Sequence, residues 1–474
     1  MPEGRRGSRR AVLAAAAATA VLVGAAAAPH PTPPLPDRRP NVVVILSDDQ
    51  TLDTLPHRPA VMPFLQQVMQ DPRDHWITFP NAFLNTPLCC PSRATILTGR
   101  YSHHTGVRNN SEAIHLDEAN TVATWLHDAG YTTGLVGKYL NRYPFHAAPY
   151  VPPGWDRWEA KIQGSGASVY YDYVVSRQGF PVAYGHGPED YSTDVFAGLA
   201  EDFIRSAPGD RPFFLLFAPT GPHSPWTPAP RYAGTWSGPV TVPPNLGEPD
   251  VSDKPAWVRA LPPFTPERRA AAIADRRREY ETLGAVDDAV RGLVAALRRR
   301  GALEDTVIFY LTDNGESIGE HRWMRKSCPY DACIRTPFLA RVPGATARTD
   351  DHLVSNVDLA PTIAALAGVR PSRPVDGTSL APLLGERSAV SWRSGILSEF
   401  VGDGTIPAWW EIRTAGAAFI AYATGERELY DLAGLHGPPD PFELRNRAGD
   451  PRYTSLEDRL ASGLDDLRSG LGSG

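Results

Sequence analysis

Two continuous apolar runs, each ending abruptly in acid, constrain this chain more than any other feature. Asn41-Val42-Val43-Val44-Ile45-Leu46 stops at Ser47-Asp48-Asp49, and Thr306-Val307-Ile308-Phe309-Tyr310-Leu311 stops at Thr312-Asp313-Asn314-Gly315. Runs this short, apolar at every position, read as strands buried on both faces, as in a parallel sheet covered by helices. Between them the pattern alternates. Helices are expected over Met62–Met69, Thr121–Ala129 (ended by Gly130), Tyr191–Ile204 and the charged stretch Pro266–Arg300. Strands are expected over Tyr131–Val136 and Pro212–Ala218. Strand–helix alternation of this kind predicts an α/β fold: a large central, mainly parallel mixed sheet sandwiched by helices. From about Val390 the pattern changes to short β-like pieces, Glu411–Arg413 and Phe419–Tyr422, and a terminal helix near Leu456–Leu467. This predicts a smaller α+β C-terminal subdomain over 390–474, after a catalytic domain over 40–389.

The N-terminus reads differently. Arg5, Arg6, Arg9 and Arg10 precede an Ala/Val/Leu run from Ala11 to Ala28, then a Pro-rich stretch. A charged head, an apolar middle and small residues at the exit describe an export signal over 1–28 and a linker over 29–39. Ser8-Arg9-Arg10-Ala11-Val12-Leu13 suggests the twin-arginine type. A removable signal is expected rather than a stable membrane span. At 474 residues the chain exceeds one hydrophobic core, and its net charge of -6 disfavours a nucleic-acid partner. Four cysteines are too few for a disulfide scaffold. Cys89 and Cys90 are adjacent and seldom bridge each other, while the sequence leaves the pairing of Cys328 and Cys333 open.

In open α/β sheets, ligands bind beyond the carboxyl ends of the strands. If the two acid-tipped strands are neighbours, Asp48, Asp49, Asp313 and Asn314 converge there as a hard, all-oxygen set suited to Ca²⁺ or Mg²⁺ rather than zinc. Either pair alone is equally a turn or a helix cap. A second segment, Leu88-Cys89-Cys90-Pro91-Ser92-Arg93, places Pro91 in a first helical turn and the cysteines at the helix N-terminus. Free N–H groups, the helix dipole and Arg93 favour an anion there, beside a potential nucleophile.

Cys89-Cys90-Pro91-Ser92-Arg93 followed by Thr98-Gly99-Arg100 resembles the signature of the sulfatase family, of the alkaline phosphatase superfamily. In that family the first Cys, here Cys89, is converted to formylglycine by a formylglycine-generating enzyme. The resemblance covers most of the chain. Ile45–Gln50 is similar to the family's first metal motif, Leu311–Gly315 to its second, and Gly137-Lys138-Tyr139-Leu140-Asn141 to its Gly-Lys motif. Pro222-His223-Ser224-Pro225-Trp226, the run Lys326, Tyr330, Arg335 and Pro337, and the C-terminal Glu428–Leu432 and Glu443-Leu444-x-Asn446 also match.

The resemblance implies a sulfuric ester hydrolase. Formylglycine at Cys89 would be a geminal diol; one oxygen attacks sulfur and the second expels sulfate. Asp48, Asp49, Asp313, Asn314 and the modified Cys89 would hold Ca²⁺, with Mg²⁺ the alternative. Arg93, Lys138 and Lys326 would offset charge on the sulfuryl oxygens, and His223 would hydrogen-bond the sulfate or the leaving oxygen. Leu140 stands where many members have His, which leaves the base that releases sulfate open, with His321 as one candidate. Gly-Lys-Tyr-Leu-Asn and the loop Val151–Trp155 resemble the N-acetylglucosamine-6-sulfatase and extracellular sulfatase branch, which implies a sulfated carbohydrate or aryl sulfate substrate. Phosphodiester or phosphonate monoester hydrolysis within the superfamily, or an inactive glycan-binding protein, are the competing expectations.

Overall fold

A computed structural model of the chain describes residues 39–162, 169–385 and 391–470. The expected export signal, and all but the last residue of the linker, lie outside them. The first apolar run forms the strand Asn41–Ser47, buried from Val42 onward, and the second forms Thr306–Thr312, buried throughout. The two strands are adjacent and parallel, Val44 opposite Phe309 and Ser47 opposite Thr312. Their acidic tips therefore emerge side by side.

On the other side of Asn41–Ser47 lie Phe213–Ala218, Thr132–Gly137 and Arg157–Lys161, each parallel to its neighbour. Antiparallel strands extend both flanks: Phe338–Arg341 and Trp76–Thr78 on one side, Val174–Arg177 and Phe180–Ala183 on the other. With Arg348–Thr349 they complete a ten-stranded mixed sheet whose centre is parallel. The flanking strands are invisible as hydrophobic runs. Phe180–Ala183 is exposed at all four positions, and the charged Arg157–Lys161 is recruited by its neighbours rather than by its own propensity.

Alternation along the central strand sends its side chains to opposite faces. Val42, Val44 and Leu46 join one core, with residues of the helices Cys89–Thr98, Val122–Asp128 and Leu359–Leu366. Val43 and Ile45 join the other, with residues of Pro63–Gln70, Ser192–Ser206 and Pro266–Arg300. The long helix spans the expected residues because its ends are well marked: the Thr265 side chain accepts from the Arg268 N–H, Pro266 opens it, and Gly301 at φ 72° closes it. Among the described residues, no helix is long and apolar enough to cross a membrane.

The C-terminal part is a four-stranded antiparallel sheet, Ile396–Phe400, Trp409–Arg413, Ala417–Tyr422 and Arg427–Asp431, with the helix Thr454–Arg468 packed on it. It shares its cores with the rest of the chain. Trp409, Ile420 and Tyr430 pack with Phe83, Trp257 and Tyr330, and Leu397 and Phe419 with Tyr101 and Val357. The described residues accordingly form one compact unit.

Gly137 ends its strand at φ 111°, and a Cβ there would stand 2.0 Å from the Ala218 carbonyl oxygen. That oxygen accepts from the Lys138 N–H at 2.7 Å. Only glycine lets the two backbones approach this closely. Gly137→Ala is expected to cost at least about 2 kcal/mol through strain and overpacking. Denaturant unfolding checks this; an unchanged midpoint contradicts it.

Candidate active site

The two strand tips are tied directly to each other. Asp49 takes the left-handed conformation, φ 64°, which Asp tolerates better than most residues. Its N–H donates to Asp313 Oδ1 at 3.2 Å, and Asn314 Nδ2 donates to Asp49 Oδ1 at 2.5 Å. Asp48, Asp49, Asp313 and Asn314 are all buried. Their burial demands compensating charge, and three other segments provide it.

The first is the helix Cys89–Thr98, buried along its whole length. Cys89 is its first residue, and Arg93, one turn on, lies on the same face. Arg93 Nε donates to Asp313 Oδ2 at 2.7 Å and Nη1 to the Lys138 carbonyl at 2.7 Å. Its Nη2 is buried and without a hydrogen-bond partner, 3.8 Å from Asp48 Oδ2. Cys90 turns the other way into the core, where its Sγ accepts from the Asn141 N–H at 3.0 Å. The second segment is the tip of Thr132–Gly137: Lys138 Nζ donates to both Asp48 oxygens, at 2.8 and 2.6 Å. The third is the loop carrying Lys326, whose Nζ donates to Asp49 at 2.6 and 2.8 Å and to Cys89 Sγ at 3.1 Å. Cys89 Sγ stands 4.0 Å from Asp48 Oδ1. His223, with Nδ1 on the Ser224 carbonyl at 2.6 Å, directs Nε2 to 3.4 Å from Asp49 Oδ2. Nine of the residues singled out in the sequence thus share one cluster.

Its electrostatics follow from these contacts. Burial pushes the Asp48 carboxyl up, but Lys138, His223 and Arg93 outweigh it and hold the group below its ordinary value. Burial acts likewise on Asp49 and is outweighed chiefly by Lys326 and His223. Burial pushes the Cys89 thiol up by more than Lys138 and Lys326 take back, so a plain thiol here stays neutral. Asn314 Oδ1 is buried with no hydrogen-bond partner, an acceptor left over beside three carboxylates. That donor set fits a hard divalent cation. Asp48, Asp49, Cys89 and His223 each offer an atom within 4.8 Å of the others.

His321 is not part of this cluster. It is fully buried, its Nδ1 2.6 Å from Glu248 Oε2 and its Nε2 3.1 Å from Asn245 Nδ2, and its ring lies against Tyr330. Burial depresses its pKa to about 3, so it is neutral and both nitrogens are engaged. Tyr330, Arg335 and Glu428 of the matching motifs are framework. Glu428 accepts from the hydroxyls of Tyr330, Tyr422 and Tyr430, and Arg335 donates to the Pro80 carbonyl. The cystine Cys328–Cys333 closes the loop just after Lys326, with Cα atoms 5.7 Å apart. Sequence reasoning missed Lys161. It follows Ala160, which pairs with Gly137, so it stands beside Lys138 in the sheet; burial and Lys138 lower its pKa to about 8. Only the register of a strand unrecognised in the sequence would have revealed it.

Comparison with known proteins finds matches over most of the chain. A family model described as Sulfatase matches residues 40–369, and one described as N-sulphoglucosamine sulphohydrolase, C-terminal, matches 319–470. N-acetylglucosamine-6-sulfatase of Homo sapiens is 36% identical over 385 residues, 77% of this chain and 68% of the relative. An extracellular sulfatase, the SULF-1 homolog of Drosophila melanogaster, is 33% identical over 384 residues, 77% of this chain and 33% of that one. Among solved structures, a protein in complex with its substrate D-glucosamine-2-N,6-O-disulfate superposes with TM-score 0.77 at 24% identity, over 91% of this chain and 98% of that one.

Burial pushes the Cys90 thiol up to about 12. In the native protein its alkylation by iodoacetamide is therefore expected to stay at background up to about pH 10. In the unfolded chain it should rise through the ordinary thiol range near about 8.5. Peptide mapping after labelling checks this; native labelling of Cys90 at about pH 8 contradicts it.

Proposed function

The chain belongs to the sulfatase family, and on that premise we propose that it is an exported sulfatase hydrolysing sulfate esters through formylglycine at Cys89 and a divalent cation. The observation that carries this reading is the setting of Cys89. It stands at the head of a buried helix, 3.1 Å from the Lys326 ammonium and 4.0 Å from Asp48, beside acids from two adjacent strand tips. A thiol that burial keeps neutral is a poor nucleophile there, and its partners suit an oxygen nucleophile better. Formylglycine would supply a hydrated aldehyde with one hydroxyl for attack and another for releasing sulfate. Ca²⁺, or Mg²⁺, held by Asp48, Asp49, Asp313, Asn314 and the oxygen replacing the Cys89 sulfur, would supply Lewis acidity at the nucleophile.

The chain's own groups account for the remaining chemistry. Arg93, Lys138 and Lys326 bring three fixed positive charges to the place where charge develops on the sulfuryl oxygens. Arg93 Nη2, buried and without a hydrogen bond, is a donor in reserve for the substrate. His223 has its Nδ1 fixed by the Ser224 carbonyl, so Nε2 is the nitrogen free to hold a proton toward the leaving alcohol. Assigning His223 rather than His321 to proton transfer follows from their surroundings, one at the cluster and the other sealed in a separate network.

A sulfated sugar is the favoured substrate class, with small aryl sulfates as secondary substrates. Support comes from the Gly137–Asn141 and Val151–Trp155 motifs, the human 6-sulfatase relative and the sulfated glucosamine bound in the structural neighbour. Export rests on the arginine-headed apolar N-terminus and the extracellular relative. A twin-arginine route carries folded protein, so a formylglycine-generating enzyme would act before export.

Cys89→Ala is expected to reduce aryl sulfate turnover by roughly 10⁴-fold or more while leaving the melting temperature unchanged. Substantial residual turnover refutes the nucleophile assignment. Dominant turnover of a phosphodiester or phosphonate monoester in the same assay defeats the sulfatase reading. Asp313→Asn should weaken cation binding at least about tenfold, the size that loss of even an outer partner of a metal site costs. Calorimetric titration with Ca²⁺ measures this, and an unaltered affinity contradicts the ligand set.

A further inference from the structure

His223 lies on the loop Pro222-His223-Ser224-Pro225-Trp226, which is held from two sides. On one side the Asp48 N–H donates to the Gly221 carbonyl at 3.2 Å and ties the loop to the strand tip. On the other stands a segment that supplies no residue to the Cys89 cluster. There the Val169 carbonyl accepts from the Thr220 hydroxyl at 3.2 Å. Tyr170 donates its hydroxyl to the His223 carbonyl at 2.5 Å, and Tyr191 donates to the Thr227 carbonyl at 2.9 Å. The two tyrosine rings stack 5.5 Å apart, 9° from parallel.

The Tyr170 contact is the one that bears on a reacting group. Tyr170 is 1% exposed, so water does not compete with it for the His223 carbonyl. Burial, with Tyr191, Asp48 and Asp49 adding to it, pushes the Tyr170 hydroxyl well above its ordinary pKa, so it remains a donor. The Trp226 N–H donates to the same oxygen at 3.3 Å, which leaves no lone pair of that carbonyl idle. With its backbone fixed, His223 is locked by its own ring, Nδ1 on the Ser224 carbonyl at 2.6 Å. Nε2 then has one place, 3.4 Å from Asp49 Oδ2. The His223 side chain is 29% exposed, so packing alone does not hold it there. Without the Tyr170 hydroxyl the carbonyl keeps only the longer of its two bonds.

We propose that Tyr170 is a positioning residue for proton transfer: through the His223 carbonyl, its hydroxyl keeps His223 Nε2 aimed at the leaving oxygen. This rests on the sulfatase reading above, with His223 as the donor to that oxygen. As the S–O bond breaks, its electron pair stays on the leaving oxygen, which takes the proton from Nε2. The Nδ1 proton stays in its bond to the Ser224 carbonyl. Donation matters most where the leaving oxygen is most basic, as in a sugar alcohol, and least for an acidic phenol. Tyr170 therefore helps to set which alcohols the enzyme can release.

Turnover of a series of aryl sulfates, from para-nitrophenyl sulfate to the sulfates of more basic phenols, tests the role. In Tyr170→Phe, which keeps the stacked ring, the loss in kcat/KM should grow with phenol basicity. It should reach roughly 10- to 100-fold at the basic end, the size of a misplaced proton donor. A loss of equal size across the series marks a merely structural role and overturns the inference, as does no loss. His223→Ala separates the inference from the reading beneath it. A slope steepened in His223→Ala but unchanged in Tyr170→Phe overturns the positioning role and leaves His223 standing. An unchanged slope in His223→Ala overturns both assignments, and a native protein that turns over no aryl sulfate defeats the sulfatase reading with them. The double variant should be no worse than His223→Ala alone, because Tyr170 acts through that side chain; additive losses overturn the inference. Should Tyr170→Phe fold poorly, Tyr191→Leu carries the test, since it removes the stacking ring and spares the Tyr170 hydroxyl. Its slope should steepen too, and an unchanged slope there overturns the inference.

Discussion

Buried negative charge at the tips of two adjacent parallel strands is the constraint around which this molecule is arranged. Asp48, Asp49 and Asp313 cannot be stable away from water without opposite charge at hydrogen-bond distance. Lys138, Lys326 and Arg93 supply it from three different segments, at 2.6 to 2.8 Å. Arg93 and Lys138 are buried too and Lys326 is largely so, so each needs the acids as much as the acids need it. The result is an interlocked set in which removing one member strands another.

That mutual need explains why the surrounding backbone is so specific. Lys138 reaches Asp48 because Gly137 lets one strand end press against the carbonyl of the next. Arg93 reaches Asp313 because Cys89 opens the helix four residues earlier, about one turn, which puts the sulfur and the guanidinium on one face. Lys326 is delivered just ahead of the loop that the Cys328–Cys333 cystine closes, where the Ser327 carbonyl accepts from the Trp409 indole N–H of the C-terminal sheet. The C-terminal strands therefore contribute no residue to the cluster, yet their shared core with Tyr330 and Trp257 supports the loop that does. A cation, on the reading proposed above, would sit among oxygens whose positions this framework has already fixed, the arrangement under which catalysis by charge stabilisation works best.

Much of this was legible in the sequence because it is local. Two apolar runs ending in acid announced both the central strands and the acids at their tips, and the charged stretch Pro266–Arg300 announced the long helix. What escaped was non-local. Arg157–Lys161 and Phe180–Ala183 are strands only because a neighbour offers an edge, so neither they nor Lys161's place beside Lys138 showed in any pattern. His321 follows the second acidic motif closely in sequence, but the chain turns it away into a network with Glu248 and Asn245. Glu428 sits in a motif that matches the family and proves to be the acceptor for three tyrosines. Proximity in sequence and membership of a motif did not by themselves separate reacting groups from supporting ones.

Mass spectrometry of the peptide spanning Cys89, taken from purified and catalytically active protein, tests the central claim most directly. The account predicts an aldehyde in place of the thiol at that single position, with Cys90 in the same peptide still a thiol. Active protein whose Cys89 is wholly unmodified would contradict it.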